Sequence, residues 1–281
     1  MARHMNRVFC IGNGESRKHL DLETLRPHGK IYGCNALYRD FTPDVLTAVD
    51  QGICHEIYHS GYKGKVYFRN WTKLPAQNYE MVLYAGLTQE EINLTKSQWD
   101  GLYENDRGNA TEFVMHGSNM AGIVNINRKD KTKYKERINK SYAYISWIRE
   151  DDNSSCITDV NKNERDRGWA CGAMSGYIAV MNEKPTDVYL IGQDLYSHTT
   201  KVNNLYKGTK NYVTSDHHPT PASNWIDQWS NLFREFPNIN FYKVNRYNDA
   251  RDDVSREIPE WKDINNIKYI DYSTLDFLSG K

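Results

Sequence analysis

The chain has no apolar run of about 18 residues, so no membrane-spanning helix is expected. Its N-terminus lacks the apolar core of a secretory signal. It has no net charge, because 36 Lys and Arg balance 36 Asp and Glu. A protein that holds nucleic acid by bulk charge is usually basic, so any DNA or RNA role has to use a local patch. There is no C-x-x-C pair. Five scattered cysteines, an odd number, exclude a disulfide framework and a structural zinc, and point to a reducing cytoplasm. No Asp-x-Asp motif occurs, so no metal is expected. No internal repeat or low-complexity tract is evident.

What is present begins at Arg7-Val8-Phe9-Cys10-Ile11-Gly12-Asn13-Gly14-Glu15-Ser16. A short apolar run ends in a Gly-x-Gly turn and a Ser suited to cap a helix. This reads as strand, loop and helix start, with backbone amides left for an anion such as phosphate. Asn13 adds an amide able to read a base or ribose edge. It is not the full G-x-G-x-x-G fingerprint, since Arg17 stands where the third glycine belongs.

Further strands are expected at Ile31–Cys34, ending beside Asn35, and at Val45–Val49, ending in Asp50. Ligands of parallel sheets sit at the carboxyl ends of the strands, so Asn13, Asn35 and Asp50 are expected to face one crevice. A helix is expected from His55 to Tyr62, then a strand at Val66–Phe68. Helical spacing predicts a packed helix from Phe113 to Ile126. The run 128–140 carries seven positive and two negative side chains, 7 − 2 = +5. It reads either as a solvated surface or as a phosphate-contacting arm using Arg128, Lys129, Lys131, Lys133 and Lys135. Residues 149–168 read as a polar loop or lid. A buried helix is expected over Trp169–Met181, a strand over Asp187–Gly192, an amphipathic helix over Asn224–Phe236 and a last strand over Ile239–Val244. The polar, Tyr-bearing stretch 197–217 reads as a mobile lid loop. The pattern as a whole gives an α/β fold, a Rossmann-like parallel sheet flanked by helices. One domain covers 5–250, and 251–281 is a C-terminal extension.

Three blocks resemble the bacterial sialyltransferases that use CMP-sialic acid in lipo-oligosaccharide synthesis, and related phage-encoded proteins. They are Gly12-Asn13-Gly14-Glu15-Ser16, Cys34-Asn35 with Tyr38, and the helix 170–182 followed by Asp187-Val188-Tyr189-Leu190-Ile191-Gly192-Gln193-Asp194-Leu195-Tyr196. Residues 65 to 165 match poorly. The resemblance implies that Asn13, Gly14 and Asn35 bind a cytidine nucleotide, with Gly192 and Asp194 on the cytidine side. Asp50 stands where the family has an Asn near the donor phosphate. Tyr196 and Tyr206 match tyrosines that steady the leaving phosphate. His218, less well His217, matches the general base. Where the family holds a sialic acid carboxylate with a Thr/Ser pair, this chain has Cys171 and Gly172. A neutral sugar such as a pentose fits that pair better. The implied activity is a metal-independent glycosyltransferase in the host cytoplasm, with no cofactor beyond its CMP-activated donor. The preferred acceptor is 5-hydroxymethylcytosine in phage double-stranded DNA. A glycan or lipopolysaccharide transferase, and a nucleotide-binding protein without catalysis, stay open as alternatives.

Overall fold

A computed structural model describes residues 6–84, 88–90, 93, 106–116, 144–149, 154–161, 165–197, 199–245 and 257–278. In chain order the elements are β1 (Arg7–Ile11), β2 (Lys30–Cys34), β3 (Val45–Ala48), α1 (Gln51–His59), β4 (Val66–Phe68), β5 (Lys73–Pro75), α2 (Tyr79–Tyr84), β6 (Glu112–His116), β7 (Tyr144–Ile148), β8 (Ile157–Asp159), α3 (Cys171–Glu183), β9 (Asp187–Ile191), α4 (Ser223–Glu235), β10 (Asn240–Asn245) and β11 (Ile267–Asp271). They divide into two compact units, one of residues up to 47 and from 165 onward, the other of 48–164. The sequence reading draws one domain over 5–250 instead, with a separate extension after it.

The first unit is an α/β fold built on a parallel sheet in the order β11-β10-β9-β1-β2-β3. Numbered within the unit, that order is 3-2-1-4-5-6 from the β3 edge, the doubly wound order of Rossmann folds. The strands are near-continuous apolar runs, as parallel strands covered on both faces must be. Val8, Phe9, Cys10 and Ile11 are fully buried, and so are Val188, Leu190 and Ile191. Burying each large apolar side chain contributes about 1.5–3 kcal/mol.

Helix α3 is apolar on all sides and packs on β1 and β2. Its Gly176 lets the Trp229 ring of α4 close in, where an added Cβ would stand 2.6 Å from the indole. The segment read as an extension is part of this unit. β11 pairs along β10, and Trp261 is buried against α4, donating its Nε1 hydrogen to the Ile226 carbonyl at 3.2 Å.

In the second unit β4 pairs parallel with β8, and β5-β6-β7 form an antiparallel sheet. The polar segment 149–168 therefore contributes a strand. Residues 112–116 are also strand, against the helix expected over Phe113–Ile126. Phe113 packs against the Tyr79 and Trp147 rings, 5.3 and 5.5 Å away, which themselves meet at 4.7 Å, and pairing with β5 and β7 overrides the helical spacing. The rest of that expected helix, 117–126, and the basic run 128–140 with its five candidate DNA contacts lie outside the described residues. On α1, His55 Nδ1 and His59 Nε2 each stand 3.2 Å from the buried Ser146 hydroxyl. No described helix is long and apolar enough to cross a membrane.

Candidate functional site

The strand order reverses between β1 and β9, which is where doubly wound sheets open a ligand crevice. Both strands leave the sheet together there. The Gly12 amide donates to the Ile191 carbonyl at 2.7 Å, and the Gly14 amide to the Gly192 carbonyl at 2.8 Å. After β9 the chain turns through Gly192 and Leu195, both at φ 65°. A leucine in that left-handed region is uncommon and marks a constrained turn. The turn swings Asp194 back over the first loop. Its Oδ2 accepts the Ser16 amide at 2.9 Å, and its Oδ1 accepts the Ser16 hydroxyl. Only a glycine fits at position 14, because a Cβ there would strike the Asp194 carboxylate. Tyr272, from the far end of the chain, places its hydroxyl 2.9 Å from Ser16 Oγ.

This geometry corrects one expectation. The loop Gly12–Ser16 offers no open row of amides to a phosphate. Gly12, Gly14, Glu15 and Ser16 all donate to protein acceptors, the Glu15 amide to Asn203 Oδ1 at 2.7 Å. The helix that follows is a single 3-10 turn, Glu15–Arg17. Arg17 is itself spent inward, its Nε donating to the Gly12 carbonyl at 2.6 Å and its guanidinium reaching the Tyr206 hydroxyl at 3.3 Å.

The stretch 197–217, read as a mobile loop, lies as a strap over this loop in its described part, 199–217. The Leu205 amide donates to the Asn13 carbonyl at 2.8 Å, and Lys207 pairs with Glu15 at 2.7 Å. Arg39 holds the strap's outer end, donating to Thr209 Oγ1 at 2.7 Å and the Lys210 carbonyl at 2.9 Å. Tyr212 reaches inward from the strap. Its hydroxyl accepts from Asn13 Nδ2 and from the Ala36 amide, each at 3.3 Å.

The candidate residues are therefore distributed unevenly. Asn13, Gly14, Gly192, Asp194 and Tyr206 gather around the first loop, and Asn35 adjoins them because Asn13 Nδ2 also donates to the neighbouring Cys34 carbonyl at 3.2 Å. Asn35 takes a left-handed φ of 49°, which asparagine tolerates. Asp50 belongs to the second unit, where its carbonyl accepts the Cys54 amide in the first turn of α1. Tyr196 lies toward Glu260, and burial followed by that carboxylate raises its phenol. His217, at the end of the strap, and His218, just after it, are exposed. The His218 Nδ1 stands 3.2 Å from the Thr200 carbonyl. A carbonyl only accepts, so Nδ1 carries the hydrogen and Nε2 keeps the lone pair in the neutral ring.

Sequence reasoning missed Gln193, Tyr212 and Tyr272. Gln193 is wedged between two glycines. A Cβ on Gly12 would lie 2.8 Å from its Cδ, and one on Gly172 2.5 Å from its Oε1. Gly172 thus exists here to admit the glutamine amide. Beside it, Cys171 donates its thiol hydrogen to the Thr47 carbonyl at 2.8 Å. Four buried polar atoms on these neighbouring strand ends have no hydrogen-bond partner among the described residues: Gln193 Nε2, Asn13 Oδ1, Asn35 Oδ1 and Thr47 Oγ1. Leaving each unmet costs about 1–3 kcal/mol, so a ligand group or an ordered water is expected to meet them. Three acceptors and an amide donor suit neutral hydroxyl and amine groups. Only the two asparagine oxygens are pure acceptors, because the Thr47 hydroxyl can donate as well as accept.

Buried and half-buried phenols, some at the site and one at the opposite end of β9, make stability sensitive to alkali. Burial and then the Asp40 carboxylate push Tyr206 up to about 12, and burial and then Asp187 do the same for Tyr242. Burial likewise raises Tyr212 and Tyr272. The unfolded chain loses these protons near pH 10, before the folded one does. Stability is therefore expected to hold up to about pH 10 and to fall as pH rises toward 12. Urea midpoints measured across that window test it; a flat profile would contradict the burial of these phenols.

No family model matches the chain, and no curated protein matches it at significance. Among solved structures the chain is similar to the sialyltransferase CstII from Campylobacter jejuni, solved in complex with a substrate analogue, cytidine-5'-monophosphate. The two share 14% identity at a TM-score of 0.35, over 86% of this chain and 81% of the other. At that identity and score it is a likeness of outline and carries neither fold nor function.

Proposed function

We propose that the protein is a glycosyltransferase that takes a sugar from a CMP-activated donor and passes it to a hydroxyl. The observation that carries this reading is the row of unmet polar atoms at the β1/β9 switch point, set beside the sequence blocks that hold Asn13, Asn35 and Asp194. Asn13 and Asn35 take the nucleoside, and Gln193 and Thr47 extend the polar row for hydroxyl-bearing parts of the donor. The sugar is neutral, since the two asparagine oxygens only accept and Gly172 supplies no hydroxyl to hold a carboxylate.

In the transfer, the bond between the anomeric carbon and the phosphate oxygen breaks, and a new bond forms to the acceptor oxygen. The acceptor proton goes to His218 Nε2, the nitrogen left basic by the Nδ1 bond to Thr200. The electron pair leaves with the phosphate. Tyr196 donates a hydrogen bond to the charge growing there, as a phenol protonated at neutral pH can. With the amides of Gly12, Gly14, Glu15 and Ser16 engaged, side chains rather than a row of backbone amides carry the phosphate. The acceptor is a DNA base bearing a hydroxymethyl group, with the basic run 128–140 on the DNA backbone.

A calorimetric panel of CMP, UMP, UDP, GDP and NAD tests the donor, run with and without hydroxymethylated DNA. CMP alone is expected to bind, and DNA affinity to fall steeply with salt. His218→Ala is expected to keep CMP binding and to lower turnover about 10²–10⁴-fold. Tight UDP or NAD binding without CMP binding would overturn the donor assignment. Unchanged turnover in His218→Ala would favour nucleotide binding without catalysis.

A further inference from the structure

The seat of the Tyr212 hydroxyl is built as a ligand subsite. Two donors from different strand ends, Asn13 Nδ2 and the Ala36 amide, converge on one oxygen at 3.3 Å each. Those two donors follow β1 and β2, so the oxygen stands at the carboxyl ends of these two strands. The unmet acceptors Asn13 Oδ1 and Asn35 Oδ1 belong to the same two strand ends. A neutral oxygen accepting from the two donors, on a group that also donates to the two acceptors, would complete every bond there. A phenol hydroxyl has one hydrogen and cannot do so, and both asparagine oxygens stay unmet while Tyr212 is present. The seat is better matched to a ribose or a pyrimidine edge, which carries oxygens and donors side by side, than to the side chain that fills it.

We propose that Tyr212 is a stand-in for the nucleoside: the donor's neutral oxygen displaces its hydroxyl from Asn13 and Ala36, and the strap 199–217 lifts as the donor enters. This rests on the nucleotide-donor reading above. Arg39 sets the opposing force. It grips Thr209 and the Lys210 carbonyl, and its guanidinium carbon stands 5.8 Å from the centre of the Tyr206 ring and equally far from that of Tyr212. Opening the strap therefore costs the Arg39 contacts as well as two hydrogen bonds, and affinity for the donor is reduced by that exchange.

The experiment pairs CMP titration calorimetry with amide-hydrogen exchange of 199–217, on the full chain and on Tyr212→Phe and Arg39→Ala. Tyr212→Phe keeps the ring and removes only the competing oxygen. Arg39→Ala loosens the strap and leaves the seat untouched. Both variants are expected to bind CMP more tightly, Tyr212→Phe by about 3- to 10-fold, the worth of one or two net hydrogen bonds. In the unaltered protein, CMP is expected to speed exchange of the strap amides. Weaker CMP binding in Tyr212→Phe, with strap exchange slowed by CMP, would overturn the proposal and make Tyr212 part of the nucleotide's own binding surface. Equal affinity in all three proteins with unchanged exchange would overturn it too. Failure of CMP to bind any of the three would overturn the donor reading itself, and the exchange with it.

Discussion

Trp261→Ala is expected to destabilise the protein by about 3–5 kcal/mol, the usual loss for removing a buried indole. Trp261 is 1% exposed, meets the Phe233 ring edge-on at 4.9 Å, and holds the Ile226 carbonyl through its Nε1 hydrogen. Truncation leaves a cavity under α4 and removes the tie to the Ile226 carbonyl, which keeps its bond from the Ser230 hydroxyl. It also loosens the segment that delivers β11 to the sheet edge and Tyr272 to Ser16. In a thermal scan the midpoint should drop by on the order of 10 °C. A loss below about 1 kcal/mol would mean that 257–278 is appended to the fold and not built into it.

Asp194→Ala is expected to cost about 2–4 kcal/mol, because two hydrogen bonds to a buried carboxylate disappear and the Ser16 amide is left unmet. Asp194 is 5% exposed and ties the turn after β9 to the loop after β1. Asp194→Asn keeps the shape and one acceptor, and should lose less than half as much. Urea midpoints and CMP titration on both variants separate the two jobs open to this residue. A structural tie predicts that stability and binding fall together. A residue serving only the nucleotide would lose binding at unchanged stability.

The sequence was most legible where local pattern and tertiary need coincide. The apolar runs at Val8–Ile11, Ile31–Cys34 and Val188–Ile191 are strands because parallel strands buried on both faces have to be apolar throughout. The spacing of Ile226, Trp229, Leu232 and Phe233 marks α4 for the same kind of reason, since one helix face meets the core. Residues 112–116 were misread because a short run with only three apolar residues, Phe113–Met115, satisfies helix and strand spacing alike, and only the partner strands β5 and β7 decide between them.

The candidate site was legible by residue type and illegible by partner. Gly12-Asn13-Gly14 and Asn35 stand out on composition alone, as turn-forming and amide-bearing residues at strand ends. That the loop's amides are already engaged depends on Asn203 and on Asp194, 188 and 178 residues away. Tyr272 is 256 residues from Ser16, and no local pattern announces such a pairing. Gln193 was in plain view, but its importance comes from Gly12 and Gly172 closing on it from two other elements. By itself the sequence determined the strands, the glycine turn and the supply of amide and phenol groups, because short-range sterics and burial fix those. The tertiary structure alone decided which of those groups satisfy one another and which four polar atoms at these strand ends stay unmet among the described residues, because hydrogen-bond partners are set by the order of strands in the sheet.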